Sequence, residues 1–191
     1  NFFAGSRYEG RRRRVVGVHV RRGDTCLRER DELKKKGRKC DDFDLYVERT
    51  KKMIEEYGFD AVFVATDDHD VAEKVLRDEN KLFGGVPVFL NNPGLDRQNL
   101  YGSGYYNTVL KRLSPGVAAS DVDAVLDDIF VLAHCDGMVA KFTSNVARLA
   151  FALSNAVKGG NCVVPFDSID SYWCAAYGRQ KGRSVHGSVL C

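Results

Sequence analysis

The chain has 191 residues, of which 44% are hydrophobic and 29% are charged, with 18 Gly and 4 Pro. This length and composition are typical of one globular domain that is large enough to bury its own core. The formal net charge of +3 is mild, and no nucleic-acid recognition module accompanies the short basic runs, so we expect no nucleic-acid partner.

The sequence contains no secretory signal peptide and no apolar stretch long enough to span a bilayer. We therefore expect no membrane contact from this segment itself. Because the chain begins at Asn1 rather than at Met, we expect it to be part of a longer protein.

The six cysteines include no C-x-x-C pair and no histidine at a zinc-binding spacing, which argues against a metal site. Their even number permits disulfides and favours an oxidising compartment, but the sequence does not fix the pairing. The candidate disulfides are Cys26 with Cys40 and Cys174 with Cys191, and the candidate buried thiols are Cys135 and Cys162.

We interpret residues 1–14 as a lead-in segment to the stretch Val15–Asp24, VVGVHVRRGD. Its run of Val with one His and no charge predicts a buried parallel strand that ends at the arginines. Side chains alternate along a strand, so we expect His19 and Arg21 on one face and Arg22 on the other. A guanidinium matches phosphate oxygens with a planar fork of donors, so this strand end predicts a phosphorylated ligand.

Strands and helices alternate along the rest of the chain. The further predicted strands are Asp60–Thr66, Val86–Leu90, Met138–Phe142 and Asn161–Phe166. The predicted helices run from Phe43 to Tyr57, from Asp70 to Glu79, from Ser120 onward, and after Asn145 with Val146, Leu149, Ala150 and Leu153 inward. This alternation predicts an α/β fold with a Rossmann-like, mostly parallel sheet and helices on both faces, over residues 15–173, before a polar tail at 174–191.

Polar residues follow two more of the predicted strands. Asp67 and Asp68 come directly after a strand, where an acid also suits the cap of the next helix. Thr143 and Ser144 open a helix whose free N–H groups and positive dipole end suit a phosphate, although both residue types are also ordinary helix caps. Asp128 lies at the flank of an apolar helix face, and if buried it needs a partner such as a ligand's N–H groups.

Three stretches occur in order between roughly Val15 and Ser171: HVRR with a following acid, VFVATDD, and DDIFVLAHCDGMVAKFTSNVARLAFAL. Together they resemble the three motifs of the α-1,6-fucosyltransferases, glycosyltransferase family 23. The first also resembles a motif of the α-1,2 and protein O-fucosyltransferases. The resemblance implies the carboxyl-terminal half of a GT-B enzyme that binds GDP-fucose, needs no metal or other cofactor, and inverts the sugar carbon.

The same resemblance assigns roles to residues that bind the donor. It implies that His19 and Asp128 contact the guanine, that Arg21 contacts the β-phosphate, and that Thr143 and Ser144 also face the donor. The remaining positions that it ties to activity are Arg22 and Asp24 in catalysis and Asp67 and Asp68 in donor binding.

Transfer of a sugar from GDP leaves negative charge on the departing diphosphate, and we expect Arg21 to stabilise that charge. The acceptor hydroxyl needs a general base, and a carboxylate in the charged loop after the arginines suits this role. Glu29 is our candidate for the base, with Asp31 and Glu32 behind it.

The sequence departs from the family pattern at Thr25, where a lysine is expected, in its unusually basic loop, and in a tail that shows no sign of an SH3 domain. These departures leave the acceptor open: a glycan or glycoprotein, or a protein in O-fucosylation. Two hypotheses of a different class are a nucleotide-sugar-binding module without catalysis and a nucleic-acid-binding domain. The resemblance further implies a place in the Golgi lumen, as part of a membrane-anchored protein.

Overall fold

A computed structural model describes residues 7–8, 11–22, 26, 40–91, 119–160 and 164–170. Several residues singled out from the sequence lie outside these ranges, among them the candidate base and the aspartate of the first motif. They are Asp24, Thr25, Glu29, Asp31, Glu32, Cys162, Cys174 and Cys191.

The strands of the described chain form two sheets. They are β1 (Arg7–Tyr8), β2 (Arg11–Arg12), β3 (Val15–Val20), β4 (Ala61–Thr66), β5 (Val88–Leu90), β6 (Gly137–Ala140) and β7 (Phe166–Ser168). The first two strands pair antiparallel, and the other five form one parallel sheet in the order β5–β4–β3–β6–β7. The predicted parallel sheet is confirmed.

Helices cover both faces of the five-stranded sheet. They are α1 (Phe43–Tyr57), α2 (His69–Leu82), α3 (Ala119–His134) and α4 (Asn145–Val157). Val16 and Val18 of β3 pack in a core with residues of α1 and α2, whereas Val15 packs in a second core with residues of α3 and α4. This arrangement confirms the Rossmann-like α/β prediction, since alternate residues of one strand face opposite helical layers.

Glycine allows one helix to approach the central strand closely. A Cβ atom at Gly17 would lie 2.9 Å from Leu132 Cδ2 and 3.1 Å from Cys135 Sγ. Both contacts are shorter than side chains normally tolerate, so the bare backbone of β3 sets how near the end of α3 can come.

Two local predictions are confirmed at helix ends. Gly58 takes the left-handed conformation, with φ 67°, and its N–H donates to the Ile54 carbonyl to end α1. Asp68 caps α2 by accepting hydrogen bonds from the backbone N–H groups of Asp70 and Val71.

The last strand differs from its predicted position. The sequence pattern predicts a strand over 161–166, but β7 begins at Phe166 and includes the two residues after it. Pro165 has no N–H for a ladder, and its carbonyl accepts the Met138 N–H at 2.9 Å, so it stands at the strand's start. Pairing with β6, which brings Met138 opposite Phe166, therefore sets the register.

The buried face of α4 agrees with the prediction at Ala150, and at Val146 and Leu153, which are partly buried against the core, but not at Leu149. The residues that the structure buries on this helix are Ala147, Ala150, Phe151 and Ser154. Leu149, predicted to face inward, is 48% exposed. The Ser154 hydroxyl donates to the Phe151 carbonyl at 2.7 Å, so this polar residue is satisfied inside the core.

The chain order of the strands reverses at the centre of the sheet. From β3 the chain adds β4 and β5 on one side and then returns to add β6 and β7 on the other. Such a reversal leaves a crevice at the carboxyl ends of the two central strands, which is where ligands bind in open α/β sheets. We call the residues that follow the strands here, 21–22, 67–68, 91, 141–144 and 169–170, the carboxyl edge.

Candidate functional site

The carboxyl edge brings together strand ends that are far apart in sequence. β3 is hydrogen-bonded to β4 on one side and to β6 on the other, with His19 opposite both Ala65 and Ala140. The arginines after β3 therefore lie between the aspartates after β4 and the Thr143–Ser144 turn after β6. This juxtaposition is the one that the sequence predicts for a shared ligand site.

The aspartates after β4 pair with the arginines after β3. Arg21 Nη1 forms an ion pair with the Asp67 carboxylate, which is 3% exposed and also accepts the Arg22 N–H at 2.9 Å. Arg22 Nε donates to Asp68 Oδ2 at 2.8 Å. Both predicted donor-binding aspartates thus hold arginines in place, and their direct contact with a donor stays a prediction.

The Arg21 side chain is the more exposed member of its pair, at 25%. A guanidinium carries five N–H donors in a rigid fork, so one carboxylate engages only part of its capacity. The ion pair therefore orients Arg21 at the crevice. Its predicted contact with a phosphate is compatible with this geometry.

His19 and Asp128 lie on the other side of the sheet from Arg22. His19 shares the face of β3 that packs against α3, by the alternation that places Val15 in the core of α3 and α4. Asp128 of α3 is buried, and its carboxylate accepts a hydrogen bond from Asn91 Nδ2 at 3.5 Å. The two residues implied to bind a base are therefore both buried on the α3 side.

The turn after β6 is tied to the end of β7. The Thr143 hydroxyl and its N–H, the latter at 3.4 Å, both donate to the Asp170 carboxylate. Ser144 is the N-cap of α4, but its side chain makes no capping hydrogen bond. Thr143 and Ser144 are at the helix start as predicted, and Asp170 is a neighbour that sequence reasoning missed.

Lys141 and Asp41 form a buried ion pair at the same edge. Lys141 Nζ lies 2.5 Å from Asp41 Oδ2, and the two side chains are 5% and 8% exposed. The strand predicted over 138–142 ends at Ala140, so Lys141 lies beyond the ladder and turns toward the start of α1. The signal available in the sequence was a single lysine inside the apolar run GMVAKF, since a buried charge requires a partner.

Tyr46 lies beneath the crevice on the α1 side. It is fully buried, and its hydroxyl has no hydrogen-bond partner among the described residues. Burial first, and then the negative charges of Asp41, Asp170 and Asp67, raise the pKa of Tyr46 above its usual range. The phenol is therefore held neutral beside the carboxyl edge.

A disulfide joins Cys26 to Cys40, one of the two candidate pairs named from the sequence. The Cys26 N–H donates to the Arg22 carbonyl at 2.6 Å, and Cys40 immediately precedes Asp41. The bond thus links the segment after the arginines to the segment before α1. Cys135 is a buried free thiol, and burial raises its pKa.

Within the described ranges, no three His, Cys, Asp or Glu side chains are grouped so as to hold a metal ion. None of the helices described here is long and apolar enough to cross a membrane.

The chemistry of the edge suits an anion. Arg21, Arg22 and Lys141 lie at the ends of β3 and β6, and each is paired with an aspartate, so they offer oriented N–H donors more than net positive charge. The first N–H groups of a helix have no acceptor within that helix, so the start of α4 adds oriented donors and a positive dipole end. Guanidinium groups and free helix N–H groups are donors of the kind that bind phosphates, so the predicted phosphorylated ligand is compatible with Arg21, Arg22 and the start of α4.

The chain matches no protein-family model and no curated protein. It is similar in structure to POFUT1 in complex with GDP-fucose, with a TM-score of 0.42, 11% sequence identity, and coverage of 74% of this chain and 37% of that chain. It is also similar to POFUT1 in complex with GDP, with a TM-score of 0.47, 12% sequence identity, and coverage of 81% of this chain and 41% of that chain. A third similar structure is NodZ α-1,6-fucosyltransferase soaked with GDP-fucose, with a TM-score of 0.39, 18% sequence identity, and coverage of 82% of this chain and 38% of that chain. The chain spans about two fifths of the length of these solved structures.

Proposed function

We propose that this chain is the carboxyl-terminal, donor-binding half of a GT-B fucosyltransferase that transfers fucose from GDP-fucose to a glycan or glycoprotein acceptor, in α-1,6 linkage. The observation that carries the proposal is the juxtaposition of His19 and Arg21 at the end of β3 with Thr143 and Ser144 after β6. The resemblance of these same stretches to family 23 motifs supports GDP-fucose as the donor.

In this proposal the donor lies across the crevice between β3 and β6. His19 and Asp128, both buried on the α3 side, bind the guanine. Arg21 binds the β-phosphate, and Ser144 with the first N–H groups of α4 binds the diphosphate from the other side. Asp67 fixes the orientation of Arg21, which lowers the entropy lost when the phosphate binds.

Transfer breaks the bond between the sugar's C1 and the diphosphate oxygen while the acceptor oxygen bonds to C1 from the opposite face. The bonding electrons leave with the diphosphate, and the acceptor's proton goes to a general base. Arg21 stabilises the growing charge on the leaving group, and one oriented donor of this kind contributes about 3 kcal/mol to transition-state binding. In this scheme no metal ion shares that task.

The base in the proposal is Glu29, a carboxylate in the loop that follows the arginines. Asp24 and Arg22 support catalysis at the same strand end. Asp24 and Glu29 lie outside the described residues, so their roles rest on the sequence alone.

Protein O-fucosylation is the second candidate, since its enzymes share the HVRR-like strand and the proposed donor site serves both reactions. A nucleotide-sugar-binding module without catalysis is the third, and Thr25, in place of an expected lysine, supports it. For the enzyme we propose the Golgi lumen as location, within a membrane-anchored protein; the Cys26–Cys40 disulfide supports an oxidising compartment.

Calorimetric titration with GDP and GDP-fucose in EDTA tests donor binding. We expect both ligands to bind, Arg21→Ala to weaken binding at least 10-fold, and Arg21→Lys to weaken it as well because a lysine lacks the planar fork. Arg12→Ala is the matched control, because Arg12 also pairs with an aspartate, Asp136, and does so outside the carboxyl edge. Absence of GDP binding by the wild-type chain contradicts the proposal.

A transfer assay with the full-length protein then separates the candidates. Fucose transfer to a core N-glycan supports the α-1,6 reaction, and transfer to a folded protein domain supports O-fucosylation. Donor binding without transfer or hydrolysis identifies a binding module.

A further inference from the structure

The Lys141–Asp41 ion pair is connected by further contacts to residues outside the pair. Both side chains are almost fully buried, and Nζ and Oδ2 are 2.5 Å apart. Burying two charges sacrifices their hydration, and well-packed apolar residues often stabilise such a position as well or better. The pair is therefore better explained by what it holds in place than by its contribution to stability.

The residue that Asp41 holds is Arg22. The Asp41 carbonyl accepts a hydrogen bond from Arg22 Nη1 at 2.8 Å, while Arg22 Nε donates to Asp68 at 2.8 Å. The Arg22 guanidinium is thus hydrogen-bonded on two sides, to the Asp68 side chain after β4 and to the Asp41 backbone before α1. The position of the Asp41 backbone depends on two contacts: the Asp41 carboxylate pairs with Lys141, and the preceding Cys40 is disulfide-bonded to Cys26.

Arg22 in turn connects to Arg21. The Arg22 N–H donates to Asp67 Oδ1 at 2.9 Å, and the same carboxylate pairs with Arg21. A continuous series of contacts therefore runs from Lys141 after β6, through Asp41 and Arg22, to the arginine at the centre of the crevice.

We propose that Lys141 is a positioning residue for the arginines of the carboxyl edge, acting through Asp41. It ties the end of β6 to the segment before α1, and it does not touch the ligand. The identity of the ligand, a nucleoside diphosphate, rests on the proposed function, whereas the positioning of Arg22 does not.

The first test measures Arg22 directly. Phenylglyoxal reacts with arginine side chains, and peptide mass spectrometry gives the modification rate at each one. In the double variant Lys141→Met with Asp41→Leu, which leaves no unpaired buried charge, we expect Arg22 to react at least 5-fold faster than in the wild type. Lys158→Met is the matched control, because Lys158 pairs with Asp136 at 2.8 Å, outside the carboxyl edge, and we expect it to leave the Arg22 rate unchanged.

A second double variant, Lys141→Gln with Asp41→Asn, removes both charges and places at the two positions amide groups that can hydrogen-bond to each other. We expect this variant to restore slow modification of Arg22 and a GDP dissociation constant within about 3-fold of the wild type, which is about 0.65 kcal/mol. For the Met–Leu variant we expect GDP binding at least 10-fold weaker, although the protein remains folded by circular dichroism. A purely structural pair predicts instead that the two double variants behave alike.

The two proposals fail separately. If phenylglyoxal modifies Arg22 in the Met–Leu variant at the wild-type rate, Lys141 does not position Arg22 and the inference is wrong. If the wild-type chain binds no GDP, the proposed function is wrong, and the modification rates still decide the role of Lys141.

Discussion

Arg21 and Asp67 follow neighbouring parallel strands and form an ion pair at the carboxyl edge, in which the aspartate is 3% exposed. The same carboxylate accepts the Arg22 N–H. One buried side chain thus fixes both the guanidinium and the backbone of the motif that carries the candidate site. A ligand arriving at this edge meets an arginine that is already oriented.

Replacing Asp67 tests this relationship. Asp67→Asn removes the charge that Arg21 faces, and we expect it to lower the free energy of unfolding by about 1–3 kcal/mol, because hydrogen bonds to a charged group are lost or weakened. We also expect GDP binding to weaken, since Arg21 loses its fixed orientation. Urea denaturation and calorimetry measure the two effects.

Asp136→Asn is the control for this variant. Asp136 accepts the Val15 N–H at 3.0 Å and pairs with Lys158 at 2.8 Å, outside the carboxyl edge. It is expected to destabilise the fold by a similar amount and to leave GDP affinity unchanged. Equal losses of affinity in both variants contradict a specific role for Asp67.

Gly17 tests the close approach of α3 to β3. A methyl group there meets Leu132 Cδ2 at 2.9 Å, so we expect Gly17→Ala to destabilise the protein by about 1–3 kcal/mol through overpacking. The shift in melting temperature, expected at about 2–4 °C per kcal/mol for a chain of this size, measures the effect. An unchanged melting temperature means that the helix moves away without cost.

Tyr46 gives the stability of the fold a dependence on alkaline pH. The ordinary tyrosine pKa of 10.0 applies to the unfolded chain, and the pKa of the buried residue is higher. Above about pH 10 the unfolded state therefore loses a proton that the folded state keeps, and the free energy of unfolding falls by up to about 1.4 kcal/mol per pH unit from this group.

We expect Tyr46→Phe to remove that part of the slope. At pH 7 the variant is expected to be as stable as the wild type within about 1 kcal/mol. The hydroxyl has no hydrogen-bond partner among the described residues, so its removal leaves no such partner unsatisfied. Urea denaturation at several pH values compares the two proteins. Identical slopes above pH 10 would show that the phenol ionises freely in the folded state.

The Cys26–Cys40 disulfide is expected to stabilise the chain by restricting its unfolded state. The two cysteines are 14 residues apart, and a loop of this size corresponds to about 3 kcal/mol. We expect the double variant Cys26→Ser with Cys40→Ser to lose about that amount in denaturant titrations. An unchanged free energy of unfolding in the double variant contradicts this expectation.

Local patterns in the sequence predicted those parts of the site that depend on neighbouring residues. Alternation along β3 assigned His19 and Arg22 to opposite faces, and the Asp68 cap followed from its position before a helix. These features need only the period of a strand or the free N–H groups of a helix end. They are therefore visible in a short window of sequence.

The features that sequence reasoning missed depend on contacts between distant segments. Lys141 and Asp41 are 100 positions apart, and nothing near either residue names the other. Asp170 reaches Thr143 because β7 pairs with β6 in a register that starts at Phe166, after a proline that has no N–H to donate. Packing between whole elements determines the strand register and which residues of α4 are buried.

The position of β3 affects how readily the arginines can move. This strand is buried over all six residues and is hydrogen-bonded on both sides. Its amide hydrogens can exchange with deuterated solvent only when most of the sheet opens, so they are expected to be among the slowest in the protein. Arg21 and Arg22 are attached to this slow-exchanging element, and any conformational adjustment to an incoming ligand therefore falls on the segments that surround it.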